Sequence, residues 1–111
     1  MKKIFFLAAF STMIGFAEAQ QLKTPAASPL QTVKQEFGLS AVELSYSRPA
    51  VKGRTIFGDL VPYGKIWRTG ANAATTITFG ENVNFGGKEV PAGKYGLLTI
   101  PNANDWTVIL T

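Results

Sequence analysis

Residues Thr75–Ile100 read TTITFGENVNFGGKEVPAGKYGLLTI, and the period of this stretch decides the fold. Thr75, Ile77 and Phe79 fall on one side of an extended chain and Thr76 and Thr78 on the other, because successive side chains of a strand point to opposite faces. Val83 and Phe85 keep the alternation. Gly86-Gly87 then supplies a two-residue hairpin signal, since the favoured turn needs positive φ. Pro91-Ala92-Gly93 turns the chain again. Tyr95–Ile100 is nearly all apolar, the pattern of a strand covered on both faces.

The same period extends outward in both directions. Downstream, Asn102–Asp105 reads as a turn, and Trp106, Val108 and Leu110 align on one face of a final strand. Upstream, Val42, Leu44 and Tyr46 alternate with Ala41, Glu43 and Ser45, and Thr32–Phe37 places Val33 and Phe37 together, with Gly38 between the two runs as a hairpin turn. Arg48-Pro49 ends that second run, because proline lacks an N–H and restricts its predecessor. Six or seven short strands with turn signals about every 8–12 residues predict an all-β, antiparallel sandwich or open barrel. The final strand is still apolar at Thr111, so the domain is expected to be incomplete at its C-terminus, with one sheet edge exposed.

The first residues follow another code. Lys2 and Lys3 precede an apolar run from Ile4 to Phe16, and Ala17-Glu18-Ala19 offers small residues for signal peptidase. The run is shorter than the roughly 20 residues of a membrane span. Residues 1–19 are therefore read as a signal peptide, 20–30 (QLKTPAASPL after Gln20) as a flexible lead-in, and 31–111 as the β domain. Export to the periplasm or the exterior follows, with no membrane span after cleavage. The chain has no Cys, which excludes a lipoprotein anchor, a disulfide framework and a thiolate metal site. It has no His either, so the commonest general base and metal ligand are missing. No cofactor or metal is expected.

Of 11 Lys/Arg and 7 Asp/Glu, the signal peptide carries Lys2, Lys3 and Glu18, leaving a surplus near +3. That is too mild to suggest nucleic acid as a partner. The distribution is more telling: Arg48, Lys52, Arg54, Lys65 and Arg68 are opposed only by Asp59 in their span. They sit in residues 49–72 or at its border, an irregular crossover with two Pro, four Gly and only short apolar pieces at Ile56-Phe57 and Leu60-Val61.

Three motifs carry a resemblance to a known family. They are SRPxxKGR at Ser47–Arg54, LVPYGxxWRTGAN at Leu60–Asn72 and PAGxYxLxxIP at Pro91–Pro101. Together they resemble DUF2911, a bacterial domain of unknown function, from about Pro29 to Thr111. The resemblance implies an exported protein that continues past Thr111. It carries over no catalytic residue.

The crossover holds the candidate site residues Arg48, Arg54, Tyr63, Trp67, Arg68 and Asn72. An aromatic flanked by glycine in a small β protein most often plugs one end of the core, and a stacking platform for a flat ligand is the functional alternative. Arg68 can pair with Asp59 to fix the crossover, or can converge with Arg48 and Arg54 on a carboxylate, phosphate or acidic sugar, for which a guanidinium fork is suited. Asn72 can close a turn or orient a ligand. The glycines can form an anion nest, though relief of positive-φ turns is the commoner use, and no phosphate-loop or dinucleotide fingerprint is present. Asp59, Glu81 and Glu89 are the carboxylates available for hydrolysis, but each borders glycine or a turn. The reading is an exported binding module for an anionic or glycan ligand, or for another envelope protein. The alternatives are the non-catalytic N-terminal part of a secreted hydrolase and a ligand-free scaffold. If the loop is a ligand face, Arg68→Ala and Trp67→Ala should remove binding with little change in melting temperature.

Overall fold

In the computed structural model, residues 22–111 are described, and the signal-peptide reading of residues 1–19 lies outside them. Seven strands and no helix form among the described residues: β1 (Leu30–Phe37), β2 (Ser40–Ser47), β3 (Ala71–Phe79), β4 (Val83–Phe85), β5 (Lys88–Val90), β6 (Gly93–Pro101) and β7 (Trp106–Leu110). Five of them make one antiparallel sheet in the order β1-β2-β3-β6-β7, and β4-β5 is a separate two-stranded hairpin. The fold is all-β as the period-two pattern predicts, and the sheet is open rather than closed into a barrel.

The turns sit where the sequence places them. The β1–β2 hairpin closes Phe37 onto Ser40 through Gly38-Leu39, with Gly38 at φ 57°. Gly86 and Gly87 both have positive φ, 60° and 88°, and join Phe85 to Lys88 in the primed-turn geometry that matches strand twist.

Registers define the faces. Ile77 lies opposite Leu44 on one side and Tyr95 on the other, and Leu97 lies opposite both Thr75 and Leu110. One face of the sheet therefore carries Val33, Leu44, Ile77, Phe79, Leu97, Val108 and Leu110. Ile77 and Phe79, from the central strand, are buried. The β4–β5 hairpin covers part of this face, with Phe85 edge-on to Phe79 at 6.0 Å between ring centres. On the other face β1 and β2 are polar: Lys34 opposes Glu43, and the Thr32 and Ser45 hydroxyls bond at 2.9 Å. β6 lies between β3 and β7, but only Thr99 and Pro101 of its residues are buried, and Leu97, Leu98 and Ile100 are half-buried, so the strand is not fully covered on both faces as its apolar run suggests.

Candidate functional site

The segment between β2 and β3 is built from two tight turns and a stretch docked on the sheet. In the first turn Arg54 N donates to Val51 O at 3.0 Å, while Lys52 and Gly53 take φ of 51° and 71°. Positive φ at both central residues is again the primed type. The Arg54 side chain folds back over this turn, Nε donating to Val51 O at 3.0 Å and Nη2 to Ala50 O at 2.7 Å. In the second turn Asp59 N reaches Ile56 O at 3.2 Å with Gly58 at φ 89°. Val61 N to Ile56 O at 2.8 Å and Gly58 N to Val61 O at 2.9 Å complete the knot, and Val61 is buried beneath it.

Tyr63 lies against Gly58 so closely that a Cβ there would meet its ring at 2.8 Å. Gly58→Ala should destabilise by about 2 kcal/mol, combining a left-handed backbone with displacement of the ring. A urea titration measures this loss.

The docking of residues 64–69 follows from a break in β3. Its ladder with β6 runs from Phe79↔Gly93 to Thr75↔Leu97 and stops there. On the β2 side Ser45 pairs with Thr76, but Ser47 pairs with Ala71, so β3 bulges away over the intervening residues. Asn72 sits in that bulge at φ 61°. Thr99, left without a β3 neighbour, is paired by the loop instead: Trp67 N donates to Thr99 O at 2.7 Å and Thr99 N to Trp67 O at 2.9 Å. Gly64 N extends the seam to Pro101 O at 2.9 Å. The crossover thus serves as a substitute strand beside β6.

Three threonines secure the seam. Thr69 adopts φ 64°, a strained choice for a β-branched residue. Its hydroxyl donates to Trp67 O at 3.2 Å and so accepts from the Thr99 hydroxyl at 3.0 Å. The Thr75 hydroxyl donates to Thr69 O at 2.9 Å. Thr75 and Thr99 are 2% and 4% exposed, so these hydroxyls must be bonded within the protein. Thr75→Val keeps the shape and leaves the Thr69 carbonyl without that donor. It should cost about 1.5 kcal/mol in a denaturant titration.

The seam also assembles three rings. Trp67 meets Phe57 at 5.8 Å and Trp106 at 6.2 Å, and Phe57 meets Trp106 at 5.1 Å, all near edge-to-face. Each such pair is worth about 0.5–1.5 kcal/mol beyond burial. Trp106 arrives there because it lies opposite Pro101 in β7, two places along β6 from the Thr99 that holds Trp67.

Between the crossover and the sheet lies a cleft of about 840 Å³. Arg54, Lys65, Trp67 and Arg68 line it, with Val51, Ile56, Phe57, Leu60, Ile66 and Leu98 among the apolar residues. No Asp or Glu is among the lining residues. Of the six residues chosen from sequence, Arg54, Trp67 and Arg68 come together here, whereas Arg48, Tyr63 and Asn72 are not in the lining. Arg48 is exposed at the end of β2, its N–H bonded to Pro29 O at 2.9 Å, Tyr63 packs on its own loop, and Asn72 belongs to the bulged start of β3. Asp59, Glu81 and Glu89 are also absent from the lining. Among the described residues no group of three or more His, Cys, Asp or Glu is placed to hold a metal.

Sequence reasoning missed Lys65 and Phe57 as lining residues, and Trp106 as the third ring packed on Phe57 and Trp67. Lys65 was visible in the charge run, but Trp106 had no signal beyond its strand, because its contact with Trp67 follows from register alone.

A family model described as "Protein of unknown function (DUF2911)" matches residues 28–111. No curated protein and no solved structure matches the chain.

Proposed function

This chain belongs to the DUF2911 family, and we propose that it is an exported binding module whose ligand enters the cleft beside the Trp67–Thr99 seam. The observation that carries this reading is the lining itself: three cationic side chains and no carboxylate around a largely apolar cleft of about 840 Å³. Ligand sites are commonly clefts of this size with few polar groups. Export rests on the basic, apolar and small-residue succession of residues 1–19.

Roles divide by how each cation is held. Arg54 spends Nε and one Nη on its own turn, so it stiffens the rim and keeps only its remaining edge for a ligand. Lys65 and Arg68 are exposed and supply positive charge at the mouth. Trp67 supplies apolar contact from a fixed position.

A scaffold reading draws support from the ring cluster and the Arg54 backbone bonds, since both are structural uses of candidate residues. The test uses Arg68→Ala. The binding reading expects about a tenfold loss of affinity for an anionic ligand, found by thermal-shift screening of sugar acids, phosphates and carboxylates, with a melting temperature within about 2 °C of the parent chain. A screen without hits on the folded protein supports the scaffold instead.

A further inference from the structure

We propose that the cleft takes an amphiphilic anion, a medium- to long-chain carboxylate, in preference to a free sugar or a compact anion; this rests on the reading of the cleft as a ligand site. The hydrogen-bonding side chains of the lining are Ser28, Arg54, Lys65, Trp67 and Arg68, and no Asp, Glu, Asn or Gln is among them. Guanidinium and ammonium groups only donate hydrogen bonds. A sugar, whose hydroxyls both donate and accept, finds few side-chain acceptors in such a site. A carboxylate finds only what it needs.

The apolar side of the lining excludes the compact anion. Ile66 is 65% exposed, Val51 58%, Leu60 53% and Phe57 44%, and all four line the cleft. Phosphate or sulfate would leave these side chains in water. An alkyl chain laid along them would remove its own methylenes and theirs from water together, while its head group remained at Lys65 and Arg68. Charge complementarity selects the head, and the aliphatic lining selects the tail.

The experiment is titration of the purified chain with octanoate, decanoate and dodecanoate below their micellar concentrations, followed by calorimetry and by the fluorescence of Trp67 and Trp106. Decanol, glucuronate and inorganic phosphate are the comparison ligands. Affinity is expected to rise about two- to threefold per added methylene, below the roughly fourfold of full burial because the cleft is open. Binding should saturate at one ligand per chain, and decanoate should bind at least about tenfold more tightly than decanol. Lys65→Ala and Arg68→Ala, checked by far-UV circular dichroism to be folded, should each weaken decanoate about five- to tenfold. Equal binding of decanol and decanoate overturns the anionic head. Binding without saturation, or unaffected by both substitutions, is surface adsorption and also overturns the proposal. If glucuronate or phosphate binds and the carboxylates do not, the amphiphile is wrong while the cleft remains a ligand site. If no compound binds to the folded monomer, both readings fail, and a dimer in sedimentation with no carboxylate binding assigns the apolar residues to a second copy instead.

Discussion

Trp67→Ala is expected to lower stability by about 3 kcal/mol, and thus the melting temperature by roughly 12–24 °C for a domain of this size. The indole contacts both Phe57 and Trp106, so truncation removes two edge-to-face pairs and opens a void against the sheet. Full core truncations of Trp cost about 3–5 kcal/mol, and the lower end applies because Trp67 is only half-buried. Its backbone pairing with Thr99 does not depend on the side chain and should survive. Trp67→Phe, which restores a ring, should recover most of the loss. Denaturation followed by far-UV circular dichroism measures both variants without relying on tryptophan emission. These ring contacts give a different expectation from the sequence alone, in which Trp67→Ala spares melting: a loss of stability should accompany any loss of binding at Trp67, and Arg68 and Lys65 are the separable probes.

Gly70→Val should cost about 3 kcal/mol. Gly70 is buried where the loop re-enters β3, and a Cβ there would lie 3.1 Å from Thr75 Oγ1 and 3.2 Å from the Ser47 carbonyl oxygen. The hydroxyl is already committed to Thr69 O, and the carbonyl belongs to the backbone of β2, so neither can move freely. Inserting bulk into such a contact costs about 1–3 kcal/mol, with valine at the upper end because its branched methyls add to the clash. Gly70→Ala should show a smaller loss, and ligand affinity should fall in both because the seam carries Arg68. The comparison of the two by urea titration tests whether space, rather than backbone freedom, makes glycine necessary here.

Much of the sheet was legible because period-two patterning reports on faces. Thr75-Ile77-Phe79, Gly86-Gly87 and the apolar run of β6 each have a local signal, and the structure follows them. The start of β3 was not legible. Asn72 and its neighbours look like loop, yet the strand begins at Ala71, because the bulge opposite Tyr46 is set by pairing with β2 rather than by local propensity. The site was legible in part for the same reason. A charge excess and a tryptophan mark the crossover, but which cations share a cleft depends on how the chain turns at Gly53 and Gly58. Arg48 and Tyr63 therefore separate from Arg54 and Arg68, and Trp106 meets Trp67 from a strand far along the chain without entering the lining. Long-range register leaves no trace in one local window.

The account depends on residues 64–69 acting as a strand in the gap that β3 leaves beside β6, which fixes the wall of the cleft before any ligand arrives. Residue-resolved amide hydrogen exchange of the unliganded chain tests this most directly. The Trp67 and Thr99 amides should be protected to within about tenfold of those in the Thr75–Phe79 ladder, since they belong to the same cooperative unit. If the Trp67 amide instead exchanges as fast as that of Lys52 at the tip of the first turn, the seam is not part of the fold and the cleft it frames is not a preformed site.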